Sequence, residues 1–166
     1  NTENENKRTV DSNILESFKL STLKQFCLKW INFYAHEFLS ITDSTKFYIT
    51  QSWCNYADKG DSHVAHMHSN SLISGVFYIQ GENTPIVFHR EKDMFAIRFN
   101  YKTYDLNNCE AYGVDMEVGK LFLFPSTLRH SVFENDTNTE RISLSFNTFA
   151  TGEFGMEVNS NWLKLN

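Results

Sequence analysis

The stretch KGDSHVAHMHSNSLISGVFYIQG, from Lys59 to Gly81, places His66 and His68 two residues apart just ahead of an apolar run. In an extended strand successive side chains point to opposite faces, so these two imidazoles share a face and can grip one ion. His63 falls on the other parity. A lone pair of histidines also decorates strand rims, and the choice between the two readings depends on what the rest of the chain brings to the same place.

Outward from this segment the chain is built of short β-branched and aromatic runs. They read KFYITQSWCNYA (46–57), SLISGVFYIQ (71–80), TPIVFHR (84–90), MFAIRFN (94–100), KLFLFPS (120–126) and RISLSFNTF (141–149), with Gly, Asn, Asp and Pro between them. Such runs are strands bounded by turn residues. Upstream, Leu15, Phe18, Leu23, Phe26, Cys27, Trp30, Ile31, Tyr34 and Phe38 recur at three- and four-residue steps. That spacing predicts an amphipathic helical region from residue 11 or 12 to Leu39, broken near Ser21, which can cap its second part. The expected fold class is mainly β with N-terminal helices: an antiparallel sandwich or jelly roll with the helices packed outside. Residues 1–12 are polar and read as a flexible lead-in, followed by a single domain over 13–166 whose helical region spans about 13–40.

With 166 residues, 41% of them apolar, the chain can bury one substantial core. Lys and Arg number 15 against 20 Asp and Glu, a net charge of -5, which disfavours nucleic acid and anionic membranes as partners. No apolar run approaches the roughly 20 residues that span a bilayer, and NTENENKRTV lacks the apolar stretch of a signal peptide, so a soluble cytoplasmic protein is expected. Cys27, Cys54 and Cys109 are odd in number and far apart, which implies neither a disulfide framework nor a zinc-thiolate site.

A third imidazole lies in GKLFLFPSTLRHSVFEN (119–135), where His130 follows a strand and a turn at Pro125. In a jelly roll distant strands lie side by side, so His66, His68 and His130 can surround a metal and leave positions open, as catalytic sites do. In RISLSFN the polar Arg141, Ser143, Ser145 and Asn147 alternate with apolar residues. Parity alone favours a solvent-facing side for them; the sharper alternative is a cavity in which Arg141 and the Ser143 hydroxyl hold a carboxylate.

Together, SWCNYADKGDSHVAHMHSNSLISGVFYIQ, GKLFLFPSTLRHSV and RISLSFN resemble the 2-oxoglutarate and iron(II)-dependent oxygenases, in a small branch with HxH where relatives carry HxD. The similarity covers about residues 47–149 and implies a prolyl-hydroxylase-like double-stranded β-helix, with the three blocks in order and a closing Arg-x-Ser pair. It implies His66 and His130 as iron ligands, with His68 in the place of the acidic one. It implies Arg141, assisted by Ser143 and Tyr78, on the distal carboxylate of 2-oxoglutarate. Asn55 and Tyr56 fall where relatives place cosubstrate or substrate contacts. Asp61 has the wrong parity to join the metal unless a bulge intervenes. The reaction implied is hydroxylation of a peptidyl or amino-acid-like substrate with Fe(II), 2-oxoglutarate and O2, releasing succinate and CO2.

The cupin pattern is also similar: Gly60, five residues, His66-x-His68, then Gly119, five residues, Pro125 and His130. The cupin glutamate is missing, since Leu72 and Ile73 stand where it is expected, and cupins have no need of Arg141-x-Ser143. A cupin-type metal enzyme that does not use 2-oxoglutarate, and a non-catalytic jelly-roll binding protein, are the alternatives. The segment 82–112, with Arg90, Lys92, Arg98 and Lys102, is the expected source of substrate-facing loops. His36 and His89 have no evident partner and are expected on surfaces.

Overall fold

Alternation along the longest strands sorts the side chains between two environments, and that sorting builds the molecule. The computed structural model describes residues 6–82, 84–90, 97 and 99–166. Strand β1 is Lys7–Arg8, β2 Lys46–Ala57, β3 His63–His66, β4 Ile73–Gln80 and β5 Ile86–His89. They are followed by β6 Ala111–Val114, β7 Leu121–Pro125, β8 His130–Val132, β9 Arg141–Phe154 and β10 Leu163–Leu165. One sheet has the order β1-β2-β9-β4-β7, with β10 also pairing β9; the other has the order β3-β8-β5-β6. The pairings between these strands are antiparallel. Two such sheets face to face form the jelly roll expected from the pattern.

On β9, Leu144 and Phe146 point to one side and join Leu15, Cys27, Ile31, Ala35 and Ile73 in a buried cluster. That side is covered by helix α1, Ser21–Asn32, which continues through a wider π-type segment to Phe38. Two single 3-10 turns, Ile14–Glu16 and Phe18–Leu20, precede it. The break anticipated near Ser21 is therefore present, but Ser21 opens the helix rather than capping it, and Leu20 holds the cap position. The buried stripe is narrower than the apolar periodicity suggests: Cys27, Ile31 and Ala35 are buried, whereas Phe18 is 91% and Phe38 70% exposed.

The opposite faces of β4 and β9 look toward the second sheet. Val76 and Tyr78 pack there with Ile86, Met116 and Phe124. The polar residues of β9 also lie on this inner face: Arg141, Ser143 and Asn147 are buried, and Ser145 lines the space between the sheets. Parity had favoured solvent for this face, but β9 lies between β2 and β4 inside its sheet, so its polar side is enclosed by the second sheet.

Within the segment expected to be a flexible lead-in, Lys7 and Arg8 pair with Tyr56 and Asn55 of β2. Lys7 Nζ also lies 2.6 Å from Asp58 Oδ2. An open strand edge with free N–H and C=O groups attracts even a polar segment. The run at 94–100, with Lys92 and Arg98, falls largely outside the described residues. Among the described residues no helix is long and apolar enough to cross a membrane.

Gly75 lies opposite Phe146 in the β4–β9 register, and a Cβ at this position would clash with the outer edge of the Phe146 ring. Gly75→Ala should therefore push Phe146 out of the helix-facing core and lower stability by about 1–3 kcal/mol. Urea unfolding measures this; a midpoint equal to the parent's would show that the ring yields freely.

Candidate metal centre

The last residue of β3, His66, pairs directly with His130, the first residue of β8. This register places two imidazoles side by side on the inner face of the smaller sheet, with ring centroids 4.4 Å apart. His68 follows two residues later in extended chain, and its ring stacks on that of His66 at 5.2 Å and 18°. One nitrogen from each of His66, His68 and His130 lies within 4.8 Å of the others, a spacing that suits a single cation.

Hydrogen bonds set which nitrogen faces the centre. His66 Nδ1 is 2.8 Å from the Val64 carbonyl oxygen, His130 Nδ1 2.9 Å from that of Leu128, and His68 Nδ1 2.5 Å from Asn147 Oδ1. Each partner is an oxygen that can only accept, so each Nδ1 carries the proton and donates it. Each Nε2 is left with a lone pair for a metal. Burial favours the neutral form that ligation needs. His130 is pushed down to about 4 by burial, with the neighbouring histidines adding to the effect. His68 is lowered by burial too, against the opposing bond to Asn147.

His63 also joins this face, against its sequence parity. Between His63 and His66 the β3–β8 register slips: three steps on β3 answer two on β8, from Val132 to His130. The bulge turns His63 inward, where its ring stacks on His66 at 4.2 Å. Burial, then the neighbouring His66 and Arg141, lower it to about 4. Asp61, a possible ligand if a bulge intervened, instead accepts the Asp58 backbone N–H at 2.9 Å.

Across from the imidazoles, the larger sheet presents Arg141, Tyr78, Ser143 and Asn55 to the same enclosed cavity of about 40 Å³. Arg141 is 3% exposed. Its guanidinium donates to the Phe133 carbonyl at 3.2 Å and to Asn6 Oδ1 at 3.3 Å. Among the described residues no carboxylate forms an ion pair with it. The Tyr78 hydroxyl is buried and has no hydrogen-bond partner among the described residues. Burial pushes Tyr78 up to about 12, Arg141 opposing, and lowers Arg141, Tyr78 and Asp61 opposing. A buried cation in no ion pair with a described carboxylate, beside a buried hydroxyl with no described hydrogen-bond partner, suits a carboxylate ligand. The donor set thus suits both a divalent cation and an anionic chelator beside it.

Asn55 is held in this wall by accepting from Trp53 Nε1 at 3.1 Å and donating to Ser145 Oγ at 2.9 Å. Tyr56, its neighbour on β2, is not among the residues lining the cavity, because alternation turns it to the other face. The cavity adjoins an open cleft of about 650 Å³, lined by Asn6, Arg8, Gln51, Trp53 and His63 among others. Asn6 and Arg8 were missed in the sequence because their segment carries no strand pattern. Strand parity put His63 on the opposite face because nothing in the sequence marks the bulge. His36 and His89 have partners after all, the Ile41 carbonyl at 2.9 Å and Ser131 Oγ at 2.8 Å.

A family model described as "Putative 2OG-Fe(II) oxygenase" matches residues 51–147, more than half of the chain. The chain belongs to this family. Among solved structures, the non-heme alpha ketoglutarate dependent epimerase SnoN from nogalamycin biosynthesis aligns with TM-score 0.62 at 11% identity, over 91% of this chain and 63% of its own. The carbocyclase SnoK of the same biosynthesis aligns with 0.61 at 12%, over 89% and 66%. An oxidoreductase of the 2OG-Fe(II) oxygenase family from Burkholderia pseudomallei gives 0.51 at 14%, over 72% and 56%. At these identities the likeness establishes the shared fold. The chain spans less than two thirds of the length of each of the three. No curated protein matches.

Histidines kept neutral by burial take up protons more readily once the chain unfolds. Their contribution to stability is therefore complete above the ordinary imidazole value of 6.5 and is lost as pH falls from there toward about 4. The unfolding temperature of the metal-free protein should change little between pH 7 and 8 and drop across pH 6.5 to 4, with a smaller drop in His130→Gln. Thermal melts across that range measure it, and an unchanged drop in the variant would refute this cause.

Proposed function

We propose that the protein is an iron(II)- and 2-oxoglutarate-dependent dioxygenase that hydroxylates a peptidyl or amino-acid-like substrate. The observation that carries this reading is the pairing of a three-histidine cluster with a buried, uncompensated Arg141 and an orphaned Tyr78 hydroxyl in one cavity. Iron bound with the keto acid would supply oxygen activation coupled to decarboxylation of 2-oxoglutarate to succinate and CO2.

In this reading His66, His68 and His130 hold the metal through Nε2, each ring kept in the required tautomer by its own Nδ1 bond. Arg141 neutralises the distal carboxylate of the cosubstrate, and the Tyr78 and Ser143 hydroxyls donate to it. Burial makes these contacts worth more than at a surface, since no water competes for them. Phe88 and Phe124, whose rings sit 6.2 and 4.7 Å from that of His130, keep water from the metal's inner side. The open cleft beyond Trp53 and His63 admits the substrate. Its length along β2 and the openness of one side suit a side chain projecting from a larger molecule. The three histidines, Arg141, Tyr78, Ser143 and Asn55 are the site residues, within a single domain that extends the expected 13–166 to take in Asn6 and β1.

Fe(II) and 2-oxoglutarate added to metal-free protein under nitrogen should produce the weak visible charge-transfer band of a chelated keto acid. His68→Ala should weaken that band. Arg141→Ala should raise the 2-oxoglutarate requirement ten-fold or more, because a charge-assisted contact of this kind contributes about 1.5–3 kcal/mol. Iron binding without a band in the parent would favour the cupin-type alternative.

A further inference from the structure

Two of the three histidines are oriented by their own strands. His66 and His130 each donate Nδ1–H to the carbonyl oxygen two residues earlier. His68, which lies beyond the end of β3, does not do the same. Its Nδ1 instead reaches Asn147, 79 positions further along the chain. Asn147 sits on β9, only 8% exposed, and is paired in register with Ser74 of β4. Ser74, fully buried, lies with its Oγ 3.1 Å from the same Asn147 Oδ1. Ser126 Oγ lies 2.8 Å from Ser74 Oγ and 2.7 Å from Ser71 Oγ. The backbone closes the loop: His68 N–H donates to the Ser126 carbonyl at 3.0 Å. A buried polar cluster of three serines and one asparagine thus grips His68 at both its main chain and its ring.

We propose that Asn147 is the positioning residue of the metal centre. Its carboxamide oxygen accepts a hydrogen bond from His68 Nδ1–H, fixes the ring so that Nε2 converges with those of His66 and His130, and raises the basicity of that nitrogen. The assignment rests on the three-histidine metal reading above. It also gives a reason for an imidazole to function in a place where relatives carry a carboxylate. A short acidic side chain needs no partner to choose between two nitrogens. An imidazole does, and an oxygen acceptor on the distal nitrogen both sets the choice and strengthens the ligand. A carboxamide offers that acceptor without adding a charge beside the metal, whereas an aspartate at 147 would add one.

Co(II) serves as the probe, added to the metal-free parent, N147A and N147D and followed by binding titration and by proton NMR in H2O and D2O. The parent should show three strongly shifted signals that vanish in D2O, one for each Nδ1–H. N147A should lose one of the three and bind Co(II) about 10–100-fold more weakly. N147D should keep all three and bind at least as tightly as the parent. An N147A protein that retains three signals and binds within two-fold of the parent overturns the assignment. If N147A does not fold, N147D decides: binding more than ten-fold weaker than the parent's overturns it. A folded parent that takes up no Co(II) removes the metal centre itself, and the role of Asn147 with it.

Discussion

Each imidazole at the centre of this molecule donates its Nδ1–H to an oxygen, and much of the surrounding architecture answers that requirement. A ring free to present either nitrogen would leave the site with several arrangements of nearly equal energy. Three acceptors remove that freedom: the carbonyls of Val64 and Leu128 and the carboxamide of Asn147. Burial then favours the uncharged form of His130 and His68. The result is a set of lone pairs already converged, so a cation binding there has little reorganisation to impose.

The two sheets divide the work. The smaller one supplies His66 and His130 through a single register match between short strands. The larger one supplies the polar face of β9 with Tyr78 from β4 and Asn55 from β2, held rigid by the long β2–β9 pairing that runs from Lys46 and Thr151 to Ala57 and Arg141. The helix lies on the far side of this sheet and touches none of the site residues through its own core cluster of Cys27 and Ile31. Its part is to bury the outer face so that the inner one can remain polar. That separation explains why one strand can read apolar on alternate positions and still carry a guanidinium, two hydroxyls and a carboxamide on the others.

What the chain reveals before folding follows from how local each feature is. The HxH pair is legible because strand parity is a two-residue property, and Arg141 with Ser143 is legible for the same reason. The direction of that polar face was not, because whether a strand is central or at an edge depends on partners far away in the sequence. His63 was assigned to the wrong face because a bulge is a pairing irregularity between β3 and β8, with no signature in HVAH itself. Asn6 and Arg8 escaped because a polar segment pairs with β2 only when β2 leaves an edge open. The strand of four at Ala111–Val114 is similarly quiet, its AYGV holding only two strong strand formers. His36 and His89 looked isolated for want of any pattern that would place a carbonyl or a serine beside them.

The dependence of His68 on a side chain from β9, while its two companions rely on backbone, gives the site an uneven tolerance of change. Backbone acceptors survive almost any substitution, so His66 and His130 can keep their geometry as the surrounding sequence drifts. Position 68 cannot drift alone. If Asn147 orients His68 as proposed, a histidine at 68 with no oxygen acceptor of the right length at 147 would present a misdirected ring. Substitutions at the two positions should then be coupled, the effect of one depending on the residue that stands at the other.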